Sequence, residues 1–122
     1  MSVSYFVRYD IAAPDLDAFL ERYRAMHVPL VATWPGLQRM TLHTPVDWRD
    51  PFPVNRGKAV LLAQLEFESE EAMNQAFASR ERAVAREDFL RFMTFEGTVT
   101  HQAMQSEEVW RSGWLDGNEE QA

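Results

Sequence analysis

The chain has 122 residues, of which 46% are hydrophobic, so it is long enough for one domain with a real core and too short for two. It contains no cysteine, which excludes disulfides, thiolate metal sites and a cysteine nucleophile. The net charge of −7 and the scattered basic residues do not fit a nucleic-acid partner, and neither a long apolar run nor a signal-like N-terminus is present. We therefore expect a cytoplasmic protein with no nucleic-acid and no membrane partner.

Alternating residues and helix-start signals predict the regular elements. Pro14 and Asp15 suit the first turn of a first helix, and Ser69 before two glutamates suits the start of a second. Pro29 predicts a kink or a restart near the end of the first helix. The predicted elements, in order, are a strand over Val3–Tyr9, a helix from Pro14 to about His27 that a further turn over Pro29–Thr33 can extend, strands over Leu37–Thr44 and Lys58–Phe67, a helix from Ser69 that breaks near Arg82–Ala85 and resumes over Arg86–Met93, and a last strand over Thr98–Trp110.

A long loop and an acidic tail complete the chain. Residues 45–56 contain three prolines and show no periodicity, so they form a loop between paired strands. Trp48 and Phe52 indicate that this loop packs against something, as a lid or an interface arm does. Residues 113–122 are acidic and are expected to fray. The predicted organisation is one domain over residues 1–112, followed by this tail.

The predicted order β-α-β-β-α-β is that of a ferredoxin-like α+β fold. In that fold a four-stranded antiparallel sheet carries two helices on one face. The helices leave the other face of the sheet uncovered. Because Lys58–Phe67 is apolar at nearly every position, that face would expose a larger apolar patch than most monomeric proteins have. We therefore predict a homodimer that pairs through the open sheet face.

His27 lies on the predicted buried side of the first helix. Steps of three or four positions from His27 along this helix lead to residues that are apolar or aromatic: Leu16, Phe19 or Leu20, Tyr23 and Leu30. Burying an imidazole without a partner costs roughly 1–3 kcal/mol. Two interpretations remain: a core histidine bonded to a backbone carbonyl or a carboxylate, or a general acid/base in a cleft between helix and sheet.

The residues around His27 also carry a family resemblance. His27-Val28-Pro29-Leu30 followed by Pro35-Gly36-Leu37 resembles the H-x-P-L and P-G-L signature of the EthD-type proteins, within a resemblance that covers roughly Tyr5 to Phe92. These proteins belong to the dimeric α/β-barrel superfamily of ferredoxin-like folds. The resemblance therefore implies a dimer, a ligand site between sheet and helices, and a ligand-contacting or catalytic His27.

The same resemblance implies a range of activities without a nucleotide cofactor. The superfamily includes isomerases, cyclases, cofactor-free oxygenases and dehydratases that act on aromatic, lactone or polyketide-like molecules, and some of its members bind haem through a histidine. The similar methylmuconolactone isomerases share the histidine before Pro-Gly-Leu but also use a cysteine and a tyrosine, and this chain has Leu65 and Met40 at about those positions. We therefore do not expect that particular isomerisation.

Further aromatic and polar residues are candidates for contacting a ligand, with ordinary packing or a surface position as the alternative for each. Asp10 can orient an imidazole or lie solvated at a strand end. The histidines lack metal-ligand spacing and no phosphate loop or nucleophile motif occurs, so we predict no metal and no cofactor. The candidate substrate-binding residues are Tyr5, Tyr9, Tyr23, Trp34, Arg39, His43 and His101.

Two functional hypotheses follow. The first is an enzyme without a nucleotide cofactor that acts on an apolar, oxygenated small molecule by acid/base chemistry at His27. The second is a non-catalytic dimer that binds or carries a hydrophobic small molecule, haem included. The first predicts a cavity beside His27 with convergent polar groups, whereas the second predicts a cavity without them or a filled core.

Overall fold

A computed structural model describes residues 2–91 and 95–114. Strands β1 (Ser2–Ala12), β2 (Leu37–His43), β3 (Leu61–Phe67) and β4 (Glu96–Ser106) form one antiparallel sheet in the order β2-β3-β1-β4. Helices α1 (Leu16–Arg22), α2 (Val28–Val31), α3 (Glu70–Phe77) and α4 (Arg80–Arg91) pack on one face of it. The predicted α+β, ferredoxin-like fold is confirmed. Each helix within the described ranges is too short or too polar to cross a membrane.

One face of the sheet carries the core. Along β3 every second residue is buried against the helices, and the residues between them, Leu62, Gln64 and Glu66, are partly exposed on the other face. This is the pattern of an antiparallel sheet with one covered side. The open face is therefore less apolar than the run Lys58–Phe67 suggests. The buried hydrophobic residues of the two central strands are Tyr5, Val7, Tyr9, Ile11, Leu61, Ala63, Leu65 and Phe67.

The first helical segment runs from Leu16 to Val31 without a break. Asp15 caps α1 by accepting the backbone N–H of Ala18 at 3.0 Å. Between α1 and α2 lies a π-helical turn, Tyr23–His27, in which the N–H of Val28 donates to the carbonyl of Tyr23. Pro29 has no backbone N–H and therefore cannot make the hydrogen bond of a regular helix at its position. The wider π turn before it fits a helix that lacks this bond. The predicted kink at His27 is thus a π turn.

The second helical segment is divided at Ala78 and Ser79, and the predicted break at residues 82–85 is wrong. The hydroxyl of Ser79 donates to the carbonyl of Ala76 at 2.6 Å and accepts the N–H of Arg82 at 3.1 Å, so it closes α3 and caps α4 at once. Helix α4 then continues to Arg91. The predicted helical residues 92 and 93 lie outside the described residues, as do positions 115–122 of the predicted tail.

Residues 44–60 have no regular helix or strand, so the predicted loop over residues 45–56 is present but longer, because β3 begins at Leu61 and the predicted start at Lys58 is wrong. Phe52 is 73% exposed, and Arg56 stacks over the Trp48 ring at 4.0 Å. The loop therefore makes its own local contacts.

Candidate active site

A cavity lies between the helices and the buried face of the sheet. It is open on one side and its volume is only about 50 Å³, so a ligand of more than a few atoms must displace side chains or extend out of the opening. Most of its lining is aromatic or aliphatic. Two clusters of polar side chains lie at its wall, one around His27 and one around Tyr5.

The first, the His27 cluster, consists of His27, Asp88 and Arg22. His27 ends the π turn and is 7% exposed. Its Nδ1 lies 3.0 Å from Oδ2 of Asp88 on α4, and Arg22 donates to the two oxygens of that carboxylate at 3.0 and 3.4 Å. The cluster therefore joins the first helical segment to α4 and fixes the imidazole ring.

The protonation of this cluster follows from burial and charge. Burial lowers the pKa of His27 below its ordinary value, although the Asp88 carboxylate acts in the opposite direction. Burial acts to raise the pKa of Asp88, but the hydrogen bonds from Arg22 and His27 outweigh it and lower that pKa. At neutral pH the pair is thus a neutral imidazole and a carboxylate. Because a carboxylate only accepts, Nδ1 carries the proton and the ring lone pair is on Nε2.

We expect Asp88→Asn to lower the pKa of His27 further. The carboxylate raises this pKa against the effect of burial, and an amide removes its charge. A ¹H NMR pH titration of the three histidines, with His27 assigned by substitution, measures the change. Asp10→Asn is the matched control because Asp10 lies on the other face of the sheet. A His27 pKa that stays the same or rises in Asp88→Asn would contradict the assigned role of the carboxylate.

Tyr9 and Tyr23 line the cavity next to His27. Their ring centroids are 5.8 Å apart in an edge-to-face arrangement, and the Tyr23 ring lies 5.0 Å from the imidazole. Burial raises the pKa of both phenols, that of Tyr23 to about 12, and the two hydroxyls also influence each other's pKa. Both are therefore uncharged hydrogen-bonding groups at neutral pH.

The second, the Tyr5 cluster, consists of Tyr5, His101 and Arg82. The Tyr5 hydroxyl is hydrogen-bonded to Nδ1 of His101 on β4, and Arg82 on α4 interacts with the same hydroxyl. Burial raises the pKa of Tyr5, while burial and the charges of Arg86 and Arg82 lower that of His101. Since a guanidinium only donates, the Tyr5 hydroxyl is an acceptor toward Arg82, and His101 is neutral near neutral pH.

Aromatic rings connect the two clusters. The Phe89 ring centroid is 6.5 Å from that of His27 and 6.4 Å from that of His101. The Trp34 ring lies edge-on to Phe77 at 6.2 Å, and Phe77 in turn contacts the ring of Tyr5 at 4.8 Å. Both clusters therefore border the same aromatic space.

The structure brings most of the predicted site residues together around this cavity. Arg39 and His43 are the exceptions, because β2 places them on the open sheet face. There Arg39 lies 3.7 Å from Glu66, and His43 is hydrogen-bonded to Gln64 at 3.0 Å. We leave these two residues out of the proposed site. The predicted residues that line the cavity are His27, Tyr5, Tyr9, Tyr23, Trp34 and His101.

The orienting carboxylate is Asp88, which the sequence pattern did not single out. The pattern suggested Asp10 for that role, but Asp10 instead pairs with Arg8 at 2.8 Å. Asp88 follows the buried Ala85 by three residues and precedes Phe89, so it lies on the inward side of α4. That spacing could have shown from the sequence that Asp88 faces inward. The mixed charges around Asp88 are, however, also typical of a solvent-exposed helix. The other site residues missed were Arg22, Arg82 and Arg86.

The His27 cluster has the parts of a general acid/base. A neutral imidazole whose Nδ1–H donates to a carboxylate can take a proton at Nε2, and the carboxylate then stabilises the imidazolium. In the part of the chain that the structure describes, His, Asp and Glu residues form no group of three that could hold a metal ion.

Solved structures share this fold. An ethyl tert-butyl ether d (EthD) family protein from Bacillus halodurans has a TM-score of 0.71 and 24% identity, with 88% of this chain and 100% of that chain covered. SnoaB, a cofactor-independent oxygenase from Streptomyces nogalater, has a TM-score of 0.58 and 17% identity over 88% and 95%. A dimeric ferredoxin-like protein of unknown function from Thermobifida fusca has a TM-score of 0.61 and 9% identity over 85% and 90%.

Sequence comparisons give the family. An uncharacterized 11.0 kDa protein in the thcB-thcC intergenic region of Rhodococcus erythropolis is 40% identical over 86 residues, which are 70% of this chain and 78% of that protein. The model of the EthD domain matches residues 13–96, which include His27, Asp88 and most of the cavity lining. The chain belongs to the EthD family.

Proposed function

We propose that the protein is an enzyme without a nucleotide cofactor that moves a proton on a small, apolar, oxygenated compound, with His27 as the acid/base. The observation that carries this proposal is the 3.0 Å hydrogen bond between Nδ1 of His27 and Asp88 at the wall of an aromatic cavity. A histidine that only filled the core would need one partner and no cavity beside it. Here the imidazole is buried, oriented and next to a space that a ligand can enter.

The protonation states set the direction of the first step. With its pKa lowered, His27 is unprotonated near neutral pH and acts first as a base, taking a proton from a C–H or O–H group activated by the substrate's own oxygen. Asp88 then stabilises the imidazolium, and the same proton can be returned to another atom of the substrate. A positioned base of this kind contributes about 10²–10⁴-fold to a rate.

Proton exchange with solvent tests this proposal whatever the final product of the reaction is. Enolisable lactones, aromatic ketones and phenols are incubated with the protein in D₂O, and ¹H NMR follows the loss of C–H signals. We expect faster exchange for at least one of these classes and loss of that exchange in a His27 variant. No exchange above the uncatalysed rate for any compound would contradict the proposal.

The alternative function is a non-catalytic binding or carrier protein, which the mostly apolar lining favours. Such a protein would bind hydrophobic compounds but would not catalyse the exchange of their protons in D₂O. Haem as its cargo would require the side chains that line the cavity to move apart, because the cavity volume is only about 50 Å³.

We also propose that two copies of the chain pair through the open sheet face. A groove on that face is lined by Phe6, Leu62 and Met104 among polar residues, and burying these side chains favours association. We expect a homodimer by light scattering and a monomer for Leu62→Glu. Leu90→Glu, at a 61% exposed position on α4, is the matched control. A monomeric wild type, or a dimeric Leu62→Glu, would contradict this interface.

A further inference from the structure

Two arginines line the cavity without an ion-pair partner in the described part of the chain. Arg82 and Arg86 lie one helical turn apart on α4, over the rings of Phe77 and Phe89 at 5.1 and 4.8 Å. No carboxylate within residues 2–91 and 95–114 lies within 4.0 Å of either guanidinium. The chain has 19 acidic residues against 12 basic ones, so carboxylates are plentiful and these two cations nevertheless lack one among the described residues.

A third donor lines the same cavity. Trp34 is 8% exposed, and its indole Nε1 is fully buried with no hydrogen-bond partner among the described residues. An indole N–H can only donate, and a buried donor without an acceptor is rare in native proteins. A ligand oxygen that enters the cavity can supply the acceptor that this N–H lacks among the described residues.

We propose that Arg82, Arg86 and Trp34 form a subsite for an anionic oxygen of the ligand, a carboxylate or a phenolate on a small planar compound. The two guanidiniums supply the charge, and the indole N–H donates to an oxygen of the bound group. This inference rests on the proposed function in treating the cavity as a ligand site, and it narrows the substrate class to compounds that bind as anions. The apolar body of such a ligand lies among the aromatic rings, with its reacting atom toward His27.

Matched pairs of probes test the charge requirement by isothermal titration calorimetry. Benzoate and benzamide have nearly the same shape and differ in charge, and 4-nitrophenol is compared above and below its own pKa. We expect benzoate, the 4-nitrophenolate anion or both to bind at least tenfold more tightly than the uncharged member of the pair. If benzoate binds more tightly than benzamide, the natural ligand is a carboxylate. If the 4-nitrophenolate anion binds more tightly than 4-nitrophenol, the ligand is a phenolate. Equal affinity within both pairs, or no binding of any probe, would overturn the subsite.

Arginine variants locate the effect. Arg82→Gln and Arg86→Gln should each weaken binding of the anion about tenfold, since each removes a charge-assisted hydrogen-bond donor. Arg91→Gln on the same helix, which removes an arginine 74% exposed and paired with Glu87, is the matched control. If either Arg82→Gln or Arg86→Gln fails to fold, the affinity of the other variant still tests the assignment. Equal affinities in a folded cavity variant and in Arg91→Gln would overturn the assignment.

The indole proton reports on the third donor. The four tryptophans give four indole N–H signals in a ¹H–¹⁵N spectrum, and Trp34→Phe identifies the one of interest. We expect this signal to move downfield when the anion binds and Trp34→Phe to bind it several-fold more weakly. If neither change occurs, the face of Phe77 already serves as the acceptor and Trp34 leaves the subsite.

A His27 variant separates this inference from the proposed function. His27→Gln should bind the anionic probe within about threefold of wild type, because the anion contacts the arginines and the indole. A loss of proton exchange with retained anion binding supports both proposals. Retained proton exchange with retained anion binding contradicts only the role of His27, and lost selectivity for the anion contradicts only the subsite.

Discussion

Replacing His27 with glutamine is expected to lower the rate of substrate proton exchange by about 10²–10⁴-fold. Glutamine keeps a polar side chain that can donate to Asp88, but it has no nitrogen that takes a proton near neutral pH. The exchange rate is measured by ¹H NMR in D₂O with the substrate identified for the wild type. Circular dichroism and light scattering establish that the variant keeps its fold and assembly.

A second histidine gives the matched control. His43 is exposed on the opposite face of the sheet, where it is hydrogen-bonded to Gln64, and it does not line the cavity. His43→Gln should therefore exchange substrate protons at the wild-type rate. Equal rates for His27→Gln and wild type would remove His27 from the mechanism, and an equal loss in both variants would show that the effect does not depend on the cavity.

Gly97→Ala is expected to cost about 3 kcal/mol or more of the free energy of unfolding. Gly97 has a φ of +126°, in the region that side chains rarely adopt. A Cβ there would lie 2.3 Å from the carbonyl oxygen of Asp10 and 2.8 Å from the Cα of Ile11. Both contacts are with the backbone of β1, which is held between β3 and β4 and cannot move aside.

Thermal unfolding followed by circular dichroism measures this loss. A decrease of about 10 °C or more in Tm corresponds to the expected change for a chain of this size. Gly57→Ala is the control, because its added Cβ meets only the end of the Arg8 side chain, at 3.8 Å. Equal Tm values for Gly97→Ala and Gly57→Ala would contradict the close approach of β4 to β1 at Gly97.

The sequence predicts most of the fold because its signals are local. Alternation along β1 places Tyr5, Val7 and Tyr9 on one side of the sheet, and Asp15 and Ser69 are found capping helices. The position of the second helix break could not be read in the same way. Ser79 is acceptable both inside a helix and at its start, and only its contacts with Ala76 and Arg82 decide between these.

The site is predictable only where a residue's own helix or strand fixes its direction. Helical spacing alone identifies His27 as an inward residue, whatever its partner is. Asp88 is separated from it by 61 residues, and their contact depends on how α4 packs across the first helical segment. His43 and Arg39 look as suitable as His101 in the sequence, but strand pairing places them on the other face of the sheet.

The π turn has a geometric consequence for the imidazole. The buried residues of the first helical segment, Phe19, Tyr23, His27 and Val31, recur at intervals of four. In a regular α-helix four residues overshoot a full revolution by about 40°, so three such intervals would carry the buried stripe about 120° around the axis. A π turn uses more residues per revolution and cancels part of that drift. Shortening the turn by one residue would therefore restore ordinary helical bonding and yet swing His27 out of register with Asp88.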